Sequence, residues 1–245
     1  WPDEKPHTSK GGYVSNKTPH ATYAAMITRM DRYVGQLVTK LKEHGIYDNT
    51  LIIFTSDNGP SYAGGADPTF FESAKPFEGE YGRGKGYLYE GGIRVPMIAS
   101  WPDKIKAGST SDHISAHYDM FATFGAIAGY ENTEAQDGIS LLPTLVSEEN
   151  QKEHEFLYWE FPSYGGQVAM RMGDWKVVRQ NLKSNEAPTL ELYDLKKDPT
   201  ETTNVAEAHP EIIEKASEIF KKERESPELE NFKIPLLENG NLTEK

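Results

Sequence analysis

Apolar residues at Tyr23, Ile27, Met30, Val34, Leu37 and Leu41 recur at steps of three and four, the spacing that stacks side chains on one face of a helix. Thr18 before Pro19 supplies an N-cap and a helix-compatible first position, and Gly45 supplies a stop. The opposite face carries Arg29, Arg32, Gln36, Lys40 and Glu43. Two continuous apolar runs follow, Leu51-Ile52-Ile53-Phe54 and Val95-Pro96-Met97-Ile98-Ala99. A run without alternation after a helix predicts a strand buried on both faces of a parallel sheet, although Pro96 weakens the second. A further helix is predicted over about His117 to Ala128, ending at Gly129. Helices alternating with buried strands indicate an α/β core.

After about residue 150 the pattern changes. Phe156–Trp159, Gln167–Arg171, Trp175–Val178 and Leu190–Tyr193 read as short strands divided by turns, with Gly173-Asp174 as a hairpin turn. An amphipathic helix from about Pro210 to Lys222 puts Ile212, Ile213, Ala216, Ile219 and Phe220 on its apolar side. The segment after Ser226 reads as an irregular tail packed onto the surface. The predicted organisation is an α/β part over 1–150 and a small α+β subdomain with an antiparallel sheet over 151–245.

Between the two apolar runs lie residues 58–94, which hold nine of the chain's 21 glycines. Phe70, Phe71, Phe77, Tyr81, Tyr87 and Tyr89 are interleaved with them, so this long segment reads as a functional loop rather than disorder. The formal charge of −12 argues against a nucleic-acid partner, which needs a basic footprint. Residues 186–245 carry 15 Asp+Glu against 8 Lys+Arg, so more than half of that charge sits in the last quarter. The chain has no cysteine, which excludes disulfides, thiolate metal sites and a thiol nucleophile within it. No apolar run approaches the ~18 residues of a membrane span. The first residues, Trp1-Pro2-Asp3-Glu4-Lys5-Pro6, resemble neither a signal peptide nor an initiator segment.

Three segments could carry chemistry. Asp57-Asn58-Gly59 stands where the first apolar run ends, and its oxygens suit Ca²⁺ or Mg²⁺. An Asx turn explains the same residues equally well. Gly79 to Gly86 reads G-E-Y-G-R-G-K-G, one residue from a nucleotide-binding P-loop, but Gly86 replaces the hydroxyl residue and no buried strand precedes it. What survives is Lys85, flanked by glycines and near Arg83, able to grip an anion. His113 and His117 have zinc-ligand spacing but lack the glutamate of a metalloprotease motif and a third ligand.

The order of these segments is more specific than any of them singly. Tyr23-Ala24-Ala25-Met26 with Asp31, Val34-Gly35-Gln36-Leu37 and Leu41 comes first, then Asn49 through Pro60, then Lys85 with Glu90-Gly91-Gly92-Ile93-Arg94-Val95-Pro96. This series resembles the type I sulfatases, the arylsulfatase family of the alkaline-phosphatase superfamily. Gly64-Gly65-Ala66-Asp67-Pro68-Thr69-Phe70-Phe71 resembles its bacterial branch, and Met170-Arg171, Gly173–Lys176, Leu192–Leu195 and Asp198–Asn204 resemble its C-terminal subdomain. The resemblance covers about residues 11 to 222.

It implies part of an alkaline-phosphatase-like sandwich, with helices around a mostly parallel sheet and a small antiparallel subdomain. It implies that Asp57 and Asn58 are ligands of one Ca²⁺ ion and that Lys85 contacts the sulfate ester and steadies the leaving oxygen. Glu90, Gly91, Gly92 and Arg94 match a turn of structural role, and Asp31 and Gly35 match scaffold. The family nucleophile is a formylglycine made from Cys or Ser in a Cys/Ser-x-Pro-x-Arg segment. That segment, an early Asp-Asp pair of ligands and further Arg, Lys and His partners have no match here; His7 is a poor candidate for the histidine, close as it is to Gly11-Gly12-Tyr13. The expectation is therefore the C-terminal portion of a sulfatase, inactive alone, partnered by an N-terminal half carrying the formylglycine. Its expected substrate is an aryl or carbohydrate sulfate, and its expected compartment periplasmic or extracellular. The alternatives are a phosphodiesterase or phosphonate hydrolase of the same superfamily, and a non-catalytic carbohydrate-binding paralogue.

Overall fold

The structure is a computed structural model and describes residues 5–9, 11–130, 136–240 and 242–243. Two compact units interleave along the chain: residues 1–20, 56–95 and 156–245 form one, and 21–55 and 96–155 the other.

The first unit is built on a four-stranded antiparallel sheet. Its strands, in chain order after two shorter ones described below, are β3 (Leu157–Phe161), β4 (Gln167–Met172), β5 (Trp175–Arg179) and β6 (Glu191–Asp194), paired in that order. The β4–β5 turn is the two residues Gly173-Asp174, since Met172 pairs with Trp175. Alternation sends side chains to both faces. Val168, Met170, Met172, Val177 and Leu192 face helix α5 (Pro210–Glu223), whose Ile213, Ala216 and Phe220 are buried against them. Ala169, Val178 and Tyr193 face the other way, onto Leu88, Tyr89 and Leu195. The glycine-rich loop is thus the second cover of the sheet.

The C-terminal tail is irregular and packed down as expected, and it reaches into the core. Ile234, Leu237 and Leu242 are at most 1% exposed and belong to the α5 core. Sequence periodicity misses them because two short 3₁₀ turns, Glu230–Phe232 and Pro235–Leu237, deliver single apolar residues with no repeating face.

The second unit contains helix α1 (Pro19–Glu43), β1 (Ile52–Thr55), β2 (Met97–Ser100), α3 (Asp119–Ile127) and α4 (Leu142–Leu145), apart from the first two residues of α1. The short helix α2 (Glu90–Ile93) lies in the first unit. Helix α1 ends as its sequence predicts, with Ile46 N–H bonded to Leu41 O and Gly45 N–H to Lys42 O, both at 3.0 Å.

The two apolar runs are strands, but they pair antiparallel, Ile52 opposite Ser100 and Thr55 opposite Met97. The parallel expectation for this pair is corrected here. A continuous apolar run reports apolar surroundings and carries no information on strand direction. Nor is this unit closed around apolar side chains: among the described residues Leu141 is its one buried apolar residue, whereas Leu37, Ile98 and Phe121 are 66%, 63% and 63% exposed. The apolar stripe read along α1 is therefore largely uncovered, with Ile27 and Met30 exposed as well.

Polar pairing holds this unit where it is closed. Asp119, fully buried, accepts hydrogen bonds from Ala116 N and Ile139 N at 2.8 and 2.9 Å and pairs with His154 Nε2 at 2.8 Å. The zinc-ligand spacing of His113 and His117 comes to no metal-holding group of three or more among the described residues. His113 and His117 precede α3 rather than riding on it, and it is His154 that meets Asp119. Burial first of all lowers the His113 pKa, with the neighbouring His154 acting in the same direction.

Candidate functional site

Beyond Thr55 the chain turns through Ser56-Asp57-Asn58-Gly59. Ser56 Oγ donates to Asn58 O at 2.9 Å, and Asn58 Nδ2 donates to Gly59 O at 2.8 Å. The Asn58 amide nitrogen therefore makes the turn, while its Oδ1 stays available as an acceptor. Asp57 is exposed. Turn-forming and ligand roles, alternatives in the sequence, would use different atoms and are compatible with each other.

Backbone contacts join this turn to the glycine-rich loop. Gly59 N–H donates to Gly92 O at 2.8 Å, and Lys85 N–H donates to Pro60 O at 2.9 Å. The approach is so close that a Cβ on Gly59 would lie 1.9 Å from Gly91 O, and one on Gly91 would lie 1.9 Å from Glu78 O. Only glycine fits at either position. These contacts gather Asp57, Asn58 and Lys85 into one loop cluster. Lys85 is exposed, and among the described residues its ammonium has no hydrogen-bond or ion-pair partner.

Arg83 does not share that freedom. Its Nη1 donates to Glu201 O at 2.7 Å and Thr200 O at 3.3 Å, and its guanidinium lies 4.0 Å from the centre of the Tyr89 ring. Arg83, near Lys85 in the sequence, ties the loop to the 200–201 turn.

Under the loop lies a buried ionic cluster. Lys176 Nζ, fully buried on β5, sits 2.9 Å from Glu90 Oε1 and 2.9 Å from Glu201 Oε1, while Arg94 and Arg171 approach Glu90 at 3.2 and 3.7 Å. Glu201 Oε2 also accepts the Glu90 N–H at 2.6 Å. Burial alone would raise the Glu90 carboxyl, but Lys176, then Arg171 and Arg94, outweigh it and hold the pKa below its ordinary value. Burial raises that of Glu201, with Glu90 adding to the rise and the shared Lys176 only partly opposing it. One lysine cannot neutralise two buried carboxylates, so the two move in opposite directions. The cluster fits the structural role implied for Glu90 and Arg94. Sequence reading missed Lys176 and Glu201, although one signal was present: strand alternation places Lys176 on the same inward face as Val178.

Two histidines flank the loop. His20 Nε2 lies 3.3 Å from Asp67 Oδ2, and its ring stacks on Phe70 at 4.3 Å. His7 packs beside Gly65, edge-on to Tyr13, and its buried Nε2 has no hydrogen-bond partner among the described residues. An unpaired buried imidazole nitrogen is costly. It makes His7 a stronger site candidate than its sequence neighbourhood suggests.

The donor set suits a hard cation without completing its shell. Asp57 and Asn58 offer carboxylate and amide oxygens, against roughly six to eight oxygen ligands for Ca²⁺. Among the described residues no group of three or more His, Cys, Asp or Glu could hold a metal ion.

Comparisons with known proteins follow this geometry. Residues 2–130 match the family described as Sulfatase, and residues 79–226 match N-sulphoglucosamine sulphohydrolase, C-terminal. The chain is 30% identical over 224 residues to an N-acetylgalactosamine-6-O-sulfatase of Bacteroides thetaiotaomicron, covering 84% of this chain and 42% of that protein. It is 30% identical over 232 residues to human arylsulfatase A, covering 83% and 43%. It resembles the solved structure of BT4656 in complex with its substrate D-glucosamine-2-N,6-O-disulfate, with a TM-score of 0.65 and 29% identity over 82% of this chain and 40% of that one. The chain thus spans about two-fifths of the length of each of these three relatives.

Proposed function

The chain belongs to the sulfatase family, as the C-terminal part of a type I sulfatase with the alkaline-phosphatase-like fold, and from that premise we propose that it contributes half of the active site of a calcium-dependent sulfuric ester hydrolase. The carrying observation is the pair of backbone hydrogen bonds, Gly59 to Gly92 and Lys85 to Pro60, that gathers Asp57, Asn58 and Lys85.

In this reading the Lys85 ammonium binds the sulfate group and stabilises the negative charge that develops on the bridging oxygen. Asp57 and Asn58 would hold Ca²⁺, which when bound supplies positive charge beside the sulfate. The nucleophile, a formylglycine made from Cys or Ser in a Cys/Ser-x-Pro-x-Arg segment, would come from an N-terminal half outside these residues. The bare apolar faces of the second unit support such a complement. Without it the chain should not turn over. Relatives named for sulfated sugars favour a carbohydrate sulfate over an aryl sulfate. A periplasmic or extracellular setting follows from the family resemblance alone; among the described residues no helix is long and apolar enough to cross a membrane.

The test is metal analysis and hydrolysis of sulfate esters by the complete protein. One calcium ion per chain, with losses of about a hundredfold or more in kcat/KM for Lys85→Ala and Asp57→Ala, is expected. Two zinc ions and preferred cleavage of phosphate or phosphonate esters would overturn it in favour of the phosphodiesterase alternative, for which Asn58 is a poor ligand. Binding of a sulfated sugar with no hydrolysis would indicate a non-catalytic module.

A further inference from the structure

Beside Lys85 runs a strip of aromatic rings that the reaction does not use. Tyr62 meets Tyr81 edge-on at 5.9 Å, Tyr81 meets Tyr87 at 6.1 Å, Tyr87 meets Tyr164 at 5.5 Å, and Tyr164 stacks on Phe161 at 6.0 Å. Tyr81 and Tyr164 are 74% and 57% exposed, an unusual outlay of aromatic surface on a packed unit.

The strip is held in place. Tyr164 has φ of +50°, a conformation that disfavours a bulky side chain. Its loop is fixed there by Lys183 N–H donating to Gly165 O at 2.6 Å and Leu182 N–H donating to Gly166 O at 3.1 Å. The Tyr164 ring lies directly on Gly86, where an added Cβ would come within 2.9 Å of it. Gln167, fully buried, donates to Gly86 O at 2.8 Å and accepts from Leu88 N at 3.3 Å, which locks the loop that carries Lys85 to the strand that follows Tyr164. Strain maintained by surrounding contacts is a mark of preorganised sites.

We propose that Tyr81, Tyr87 and Tyr164 form a carbohydrate-binding platform that takes the sugar ring of a sulfated glycan while the adjacent Lys85 takes its sulfate. The inference rests on the reading of Lys85 as the sulfate-binding residue. Tyrosine offers an apolar face to the C–H face of a pyranose and a hydroxyl to its oxygens. Burial, and then the Tyr81 hydroxyl, push the Tyr87 hydroxyl up to about 12, so it stays a neutral donor. Exposed Glu78 and Glu80 on the same loop offer acceptors for sugar hydroxyls.

The experiment is calorimetric titration of the complete protein with sulfated disaccharides from heparin, chondroitin sulfate and carrageenan, with inorganic sulfate as reference. At least one disaccharide should bind more tightly than inorganic sulfate. Tyr164→Asn, which removes the ring but tolerates the left-handed backbone, should lower the ratio of disaccharide to sulfate affinity at least tenfold. Tyr81→Ala, at an exposed position, should lower it about threefold or more. Disaccharides that bind no better than sulfate, or an unchanged ratio in both variants, overturn the platform alone. Undiminished sulfate binding in Lys85→Ala overturns the underlying reading of the lysine and the platform with it.

Discussion

Lys176 Nζ lies 2.9 Å from Glu90 Oε1, and neither side chain is more than 2% exposed. Through this pair the sheet of the first unit grips the turn that positions the candidate site. Replacing Lys176 by Met keeps the volume, leaves buried Glu201 without its cation and leaves Glu90 only Arg94 and Arg171, which costs about 3–5 kcal/mol. Urea denaturation should show the loss as a lower midpoint with an unchanged slope. The double variant Lys176→Met with Glu201→Gln should recover part of it, because one of the stranded charges is gone.

The same cluster sets opposite acid responses. Glu201 holds its proton more tightly folded than unfolded, so its share of stability is complete below the ordinary 4.5 and is lost as pH rises through the higher folded value. Glu90 behaves in reverse: its share is complete above 4.5 and is lost as pH falls through its depressed folded value. Denaturation midpoints measured across mild acid should therefore lose their decline on the rising-pH side in Glu201→Gln. In Glu90→Gln they should lose the drop at low pH instead. An identical pH profile for wild type and both variants would refute the assignment.

Gly59→Ala places a methyl 1.9 Å from the Gly91 carbonyl oxygen, a backbone atom that no rotamer can move. The expected cost is about 1–3 kcal/mol or more, because the two loop segments must separate. Separation also breaks the Gly59–Gly92 hydrogen bond, so the turn carrying Asp57 and Asn58 should loosen. Thermal melting reads the first effect. Amide hydrogen exchange at Gly59 and Lys85, measured against Val177 in the sheet as an internal reference, reads the second.

Much of this was legible in the sequence where the signal is local. The α1 stripe, the β4–β5 turn at Gly173-Asp174 and helix α5 each follow from spacing within one element. Strand direction in the β1–β2 pair did not, because Ile52–Phe54 and Met97–Ala99 are apolar whichever way they pair. The core role of Ile234 and Leu237 was hidden for lack of a repeat. At the site, Asp57, Asn58 and Lys85 could be picked out by residue type and by family resemblance. Their juxtaposition could not be picked out, since it depends on carbonyl-to-amide contacts at Gly59, Gly92, Pro60 and Lys85 that any sequence could in principle make. Arg83 shows the converse limit. Its charge suggested an anion partner, and its actual partners are backbone oxygens more than a hundred residues away.

The exposed faces of the second unit make a final contrast measurable. Phe54 and Ile98 are register partners across β1 and β2, 38% and 63% exposed, and Phe121 and Phe124 on α3 are 63% and 51% exposed. Exposed apolar surface of this kind drives association. The chain purified alone should bind a hydrophobic dye and self-associate, and Ile98→Lys with Phe121→Ser should reduce light scattering several-fold. In the complete protein, where the proposed N-terminal half covers these faces, the same substitutions should do the opposite. Each would forfeit about 1.5–3 kcal/mol of burial and lower the melting temperature. If the pair of substitutions left the complete protein as stable as wild type, those faces would be solvent-exposed there too, and the proposal of a covering N-terminal half would fail.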